Sequence, residues 1–280
     1  MTGVLLALGA SLAWGFADFG AGWSTRRLPV FVVAAVSQTA GLVVVGLVVL
    51  ASESSLPSPG GFAWGLSAGV VGIVGLASFY KGLAIGTMGV VGPISSTAAV
   101  VPVIYGLGSG ERPSSVQGVG VGLAVLGVVA ASLEPVPHGR GRRLGTGVGL
   151  ALLAALSFGW SLVGLNEAAN GGSAAWATFS MRLSAVPLVI VLALALGPRL
   201  PASRRAWLIL LGVGVADTAA TLLYALASTK GLLSVVSVLA SLYPIVLVVL
   251  GRVLLDERIA RPQLAGVGVA LAGVALISAG

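Results

Sequence analysis

ERPSSVQGVGVGLAVLGVVAAS, residues 111–132, and ERIARPQLAGVGVALAGVALIS, residues 257–278, are two versions of one segment. Laid together without a gap, they match at Glu111, Arg112, Gln117, Gly120, Val121, Gly122, Ala124, Gly127, Val128 and Ser132, which meet Glu257, Arg258, Gln263, Gly266, Val267, Gly268, Ala270, Gly273, Val274 and Ser278. Two apolar stretches share glycine and valine by composition alone. They do not share a Glu-Arg pair and a glutamine that way, so the chain carries an internal repeat. At a similar offset Leu6, Ala7, Leu8, Ala10, Leu12 and Gly15 fall on Leu150, Ala151, Leu152, Ala154, Leu156 and Gly159. The repeat therefore runs the length of the chain as units 1–133 and 145–280. Between them lies a basic linker, 134–144, with Pro135, Pro137, His138, Arg140, Arg142 and Arg143.

Both quoted segments end in long apolar runs, and eight more such runs precede or separate them. Spans are predicted over 3–22, 30–51, 62–83, 87–107, 115–133, 145–165, 173–196, 206–227, 232–253 and 263–279. Buried strands would give runs of about 4–8 residues rather than about 20. The composition agrees: 57% hydrophobic and 8% charged residues leave too little polar surface to coat a soluble globule of 280 residues. The reading is an all-α polytopic membrane protein of ten transmembrane helices, with the lipid bilayer as its main surroundings. The first run lacks a basic flank and a polar cleavage segment, so it reads as a retained helix.

Five spans per unit is an odd number, so the chain enters its second unit from the opposite side of the bilayer. The two five-helix repeats are then inverted, the architecture in which secondary transporters hold a solute near the midplane between halves. Basic residues orient it. Arg26, Arg27, Lys81, Arg140, Arg142, Arg143, Arg199, Arg204, Arg205, Arg252, Arg258 and Arg261 fall in the odd-numbered connections, whereas the even ones hold Arg112 and Lys230. The odd connections are then cytoplasmic. Both termini lie outside the cytoplasm of a multi-pass protein in the cell (inner) membrane. The net charge of +7 is explained by these clusters, so no nucleic-acid partner is expected.

ASLYPIVLVVLGRVLLDERIA, residues 240–260, followed by the small-residue span QLAGVGVALAGVALIS, residues 263–278, resembles the signature of the EamA family in the drug/metabolite transporter superfamily. A weaker version stands in the first half, with Pro102 and then Gly110-Glu111-Arg112. Tyr80-Lys81-Gly82-Leu83-Ala84 and Tyr224-Ala225-Leu226 resemble a second family element, and Trp14-Gly15 its opening helix. The likeness covers essentially the whole chain. It implies a transporter of a small-molecule solute and leaves amino acids, nucleotide-like metabolites and amphipathic drugs open. Two features depart from the family: the interval from Pro102 to Glu111 is about one helical turn shorter than that from Pro244 to Glu257, and the family implies cytoplasmic termini.

An ionisable group inside a span costs roughly 2.5–3.5 kcal/mol on insertion scales, so each needs a reason. Asp217 lies near the middle of the eighth span, and Arg182 lies at nearly the same depth in the antiparallel seventh, so the two can pair. Either they neutralise each other, or Asp217 contacts solute or a coupling ion. Asp18 sits near the predicted cytoplasmic end of the first span, where headgroup water is close, and is also a candidate to contact solute or a coupling ion. Pro93, Ser95, Ser96, Thr97 and Pro102 mark the fourth span of one unit, and Ser237, Ser241, Tyr243 and Pro244 that of the other; proline bends a helix and frees a carbonyl where a cavity needs lining. Trp14, Tyr80, Trp160, Tyr224 and Tyr243 are candidates to floor a pocket. A proton or an exchanged solute is the candidate coupling partner.

Other functions lack their residues. There is no cysteine, the one histidine is His138 in the linker, and Gly-x-Ser-x-Gly and His-Glu-x-x-His are both missing, which argues against an intramembrane enzyme. No metal and no cofactor are expected, because the glycine runs lack the dinucleotide spacing and read as helix-packing faces. A lipid or lipid-linked sugar flippase on the same scaffold is the alternative to a solute carrier.

Overall fold

Proline in the first turn of a helix forfeits nothing, because the N–H it lacks would have had no partner there; further in, it removes a hydrogen bond and kinks or breaks the helix, although Pro187 inside the continuous stretch Ala174–Ala195 leaves it unbroken. That rule sets the main irregularity of the fold. In the computed structural model, which describes residues 1–52, 54–85, 88–131, 147–197, 200–255 and 261–280, the fourth predicted span of each half is broken. Pro102 lies in the first turn of a new helix after a 3-10 segment, and Pro244 does so after Ser241 and Leu242.

The helices in chain order are α1 (Thr2–Thr25), α2 (Val30–Ala51), α3 (Pro59–Ile85), α4 (Met88–Ser95), the 3-10 turn Ser96–Ala99, α5 (Val100–Gly108), α6 (Ser115–Ala131), α7 (Val148–Asn170), α8 (Ala174–Ala195), α9 (Arg204–Ser228), α10 (Leu233–Ala240), α11 (Tyr243–Leu255) and α12 (Arg261–Ala279). Ser173 and Ser203 start α8 and α9, their hydroxyls accepting the backbone N–H of Trp176 at 3.3 Å and Ala206 at 3.2 Å. Among the described residues there is no strand. Eight helical stretches are long and apolar enough to cross a membrane, and shorter apolar helices occupy Ser96–Gly108 and Ser115–Ala131. The chain is an integral, multi-pass membrane protein. The linker at 134–144 lies outside the described residues.

Packing follows the repeat. Helix α1 packs on α9 as α7 packs on α3, and α2 packs on α9 as α8 packs on α3. Two pairs join a helix to its own counterpart, α6 to α12 and α2 to α8. Each half therefore lends its first two helices to the third helix of the other, and neither half has a complete core alone.

The α6–α12 contact is built from the small residues of the opening segments. Ala124 and Ala270 are fully buried, and a Cβ added at Gly127 would land on the Ala270 backbone, as one at Gly273 would on that of Ala124. In lipid, close backbone approach of this kind supplies the van der Waals contact that hydrophobic exclusion cannot.

One face of the bundle gathers both termini. There Ser58 N–H donates to the Gly171 carbonyl at 2.9 Å, Gly3 abuts Lys230 and Gly231, and Gly280 lies beside Ser114. On the same face the Glu111 carboxylate accepts the backbone N–H of Leu233 and, at 3.0 Å, of Ser234, capping α10 from the other half of the chain. The large buried cluster lies behind this face, with Ala7, Ala10, Leu165, Tyr224, Ala227 and Leu239 among its members. The opposite face carries the described basic residues Arg26, Arg27, Lys81, Arg204, Arg205, Arg252 and Arg261.

We predict that Gly127→Leu destabilises the bundle by about 1–3 kcal/mol through overpacking. Gly268→Leu on the outer face of α12, where nothing lies within 4 Å, leaves stability unchanged. Thermal midpoints in detergent measure both.

Candidate functional site

Between the halves lies a cavity of about 580 Å³. Its wall takes residues from α1 (Trp14, Asp18), α3 (Phe79, Tyr80), α7 (Phe158, Ser161), α8 (Met181, Arg182), α9 (Asp217, Thr221) and both broken helices (Ser95, Ser96, Ser241, Tyr243). It reaches Gly22, Tyr80, Ala131 and Gln263, all near helix ends on the basic face. Toward the terminal face it stops against the packed cluster around Tyr224.

Arg182 decides the electrostatics of the wall. Its side chain is only 2% exposed, so its charge must be met locally. Nη2 donates to Asp217 Oδ2 at 2.7 Å and to Thr221 Oγ1 at 3.1 Å, Nη1 donates to Gln38 Oε1, and Thr221 Oγ1 in turn donates to the Asp217 carbonyl at 2.8 Å. The pair expected from equal depth is formed, and Asp217 keeps 24% of its side chain exposed. Arg182 Nε has no partner among the described residues.

Gln38 was not foreseen, yet two signals pointed to it. It is the amide in the polar triplet Ser37-Gln38-Thr39 of a mainly apolar α2, and it stands 144 residues before Arg182, the spacing that relates Leu6 to Leu150. The two repeat-equivalent side chains thus meet where α2 crosses α8.

Asp18 differs from Asp217. The expectation that it reaches headgroup water gives way to a cavity position: it is exposed, lines the cavity one turn beyond Trp14, and lies within electrostatic reach of Asp217, Tyr80 and Tyr243. Trp14 stands between two tyrosines, its ring centroid 5.8 Å from Tyr224 and 6.5 Å from Tyr243.

Four expected residues do not line this cavity. Tyr224 is fully buried behind Trp14, with its hydroxyl 2.8 Å from Ser237 Oγ and donating to the Leu162 carbonyl at 3.3 Å, so both Tyr224 and Ser237 belong to the packed core. Trp160 points away from the Phe158–Ser161 face and packs on Trp64 and Tyr105 at 5.9 and 6.3 Å. Thr97 donates to the Ile94 carbonyl at 2.7 Å within the 3-10 turn. Thr221, Phe158, Met181 and Gln263 join the wall in their place.

The model of the EamA-like transporter family matches residues 1–133 and again 145–279, one match for each repeat. The chain belongs to the EamA-like transporter family. No curated protein sequence matches it. A crystal structure described only as that of a protein aligns over 99% of this EamA-like chain and 97% of its own length, with a TM-score of 0.80 and 18% identity, a likeness of fold. The family resemblance drawn from Trp14-Gly15, Tyr224-Ala225-Leu226 and the Pro244 helix is thereby correct. The Glu257-Arg258 pair lies outside the described residues.

Removing one partner of a buried ion pair costs about 3–5 kcal/mol, because the remaining charge loses its match. Asp217→Asn is therefore expected to lower the thermal midpoint sharply, and Arg182→Met combined with Asp217→Asn to recover most of the loss. Thermal denaturation of the three purified proteins checks this; an Asp217→Asn protein as stable as wild type would show that Arg182 does not depend on the pair.

Proposed function

We propose that this protein is a secondary transporter that carries a small solute by alternating access through ten membrane crossings arranged as two inverted repeats. The observation that carries the reading is the cavity. Its wall draws on both halves, it extends to the basic face, and it ends against tight packing toward the terminal face. A pair of interleaved, inverted halves has two equivalent packings, one open to each side, and exchange between them moves a solute without a continuous pore. The α3–α7 and α1–α9 pairs support this, since each is the counterpart of the other under exchange of halves. The Glu111 cap on α10 holds the terminal face together and must release when that face opens.

The basic face is assigned to the cytoplasm and the termini to the outside of the cell membrane, from the distribution of arginine and lysine. Arg182, Asp217, Gln38 and Thr221 act as an internal charge-matched cluster at the α2–α8 crossing. Trp14, Asp18, Tyr80, Ser95, Ser96, Ser241 and Tyr243 face the solute. A proton or an exchanged solute supplies the driving force.

The test is reconstitution. Solutes that raise the thermal midpoint of the purified protein are offered as labelled tracer to proteoliposomes preloaded with the same unlabelled solute. Wild type is expected to accumulate tracer by counterflow, and Ala21→Trp, which fills the mouth of the cavity, to lose at least nine-tenths of that flux with an unchanged midpoint. Scrambling of labelled lipid without solute counterflow would favour a flippase instead.

A further inference from the structure

The cavity wall does not present its charges evenly. Arg182, the cation among the described lining residues, is 2% exposed and already bonded to Asp217, Thr221 and Gln38. Asp18 is exposed to the cavity and makes no hydrogen bond or ion pair among the described residues. Two formal negative charges face one positive charge, and the positive one sits behind Asp217. Inside the cavity, past the residues of the basic face, a ligand therefore reaches the Asp18 and Asp217 carboxylates more readily than the Arg182 guanidinium.

The rest of the wall suits one kind of partner for that carboxylate. Trp14 lies one turn from Asp18 on α1, Tyr80 and Tyr243 are within electrostatic reach of it, and Phe79 and Phe158 line the same space. Aromatic faces attract cations and accommodate apolar bodies, and their negative π-faces repel an anion. At about 580 Å³ the cavity falls within the size range of small-molecule sites.

We propose that the cavity selects monovalent organic cations, amines or quaternary ammoniums with an aromatic or aliphatic body, with Asp18 as the group that contacts the cationic nitrogen. This rests on the reading of the cavity as the solute site. It discriminates among the classes that the family leaves open. A nucleotide-like or other anionic solute faces Asp18 and Asp217, and Arg182, the cation among the described lining residues, is already paired. An amino acid satisfies its ammonium but brings a further carboxylate into a wall that already holds two.

The test uses the purified full chain and three probes of similar shape: benzyltrimethylammonium, whose charge is fixed at every pH, neutral 2-phenylethanol, and anionic 3-phenylpropionate. Equilibrium binding is expected to rank the cation above the neutral probe and the neutral probe above the anion. Asp18→Asn should weaken the cation at least tenfold and leave 2-phenylethanol and the thermal midpoint unchanged, and Asp18→Glu should restore most of the cation affinity. Absence of cation binding by wild type, equal or tighter binding of 3-phenylpropionate, or an Asp18→Asn protein that binds the cation as wild type does would each overturn the proposal. The wild-type ranking decides the matter even if the variants fail to fold. The two readings fail separately: cation binding without any counterflow removes the transporter and leaves the site, whereas counterflow of an anion removes the cation selectivity and leaves the transporter.

Discussion

A guanidinium withdrawn from water at the crossing of α2 and α8 has to be matched on the spot, and much of the architecture follows from that requirement. The match comes from three helices: Asp217 and Thr221 on α9, Gln38 on α2, Arg182 itself on α8. Two of these helices belong to one half of the chain and one to the other. The cluster therefore fastens the halves to each other at the deep end of the cavity, adding a directional polar contact to the apolar seam of α6 and α12. A charge that is costly to unpair also makes this contact a suitable pivot. In the proposed transport cycle the rest of the bundle rearranges around it while the pair stays made.

Around that pivot the repeat distributes its packing unequally. The α6–α12 contact is a backbone-close seam of glycine and alanine that leaves no room for adjustment. The faces of the bundle are held by less. On the terminal face a single carboxylate, Glu111, caps a half-helix, and glycines at positions 3, 61, 171 and 231 let chain ends and turns touch. Such contacts are few and polar, which is the character expected of surfaces that part and close, whereas the seam has the character of a fixed hinge. The broken fourth helices fit the same division. They end their first segments at Ser95 and Ala240, and Ser95, Ser96 and Ser241 at the breaks line the cavity, so the backbone there borders the cavity rather than lipid.

The sequence was legible where polarity contrasts with its surroundings. Arg182 and Asp217 stand out in apolar spans, and depth alone predicted their contact. The repeat was legible because Glu111-Arg112 and Gln117 recur at Glu257-Arg258 and Gln263. The facing of individual residues was not, and the reason is physical. A soluble helix announces its inner side by polarity, whereas a helix in lipid is apolar on both sides, so Trp160 and Tyr224 could not be assigned to cavity, core or lipid from spacing alone. Ser237 and Thr97 are polar yet satisfied locally or within the core, by Tyr224 and by the Ile94 carbonyl. Asp18 was open between two readings for the same reason: its distance from the end of α1 suggested the headgroups, its charge suggested a site, and the structure places it in the cavity wall.

Alternation of the cavity between the two faces is the claim on which this account turns, and the absence of native cysteine allows it to be measured directly. A single cysteine at Met181, deep in the wall, can be challenged with a membrane-impermeant thiol reagent applied to one side at a time of oriented vesicles. Modification from either side, at rates that a bound solute shifts in opposite directions, is the predicted result. Modification from the basic side alone, under every condition, would contradict it.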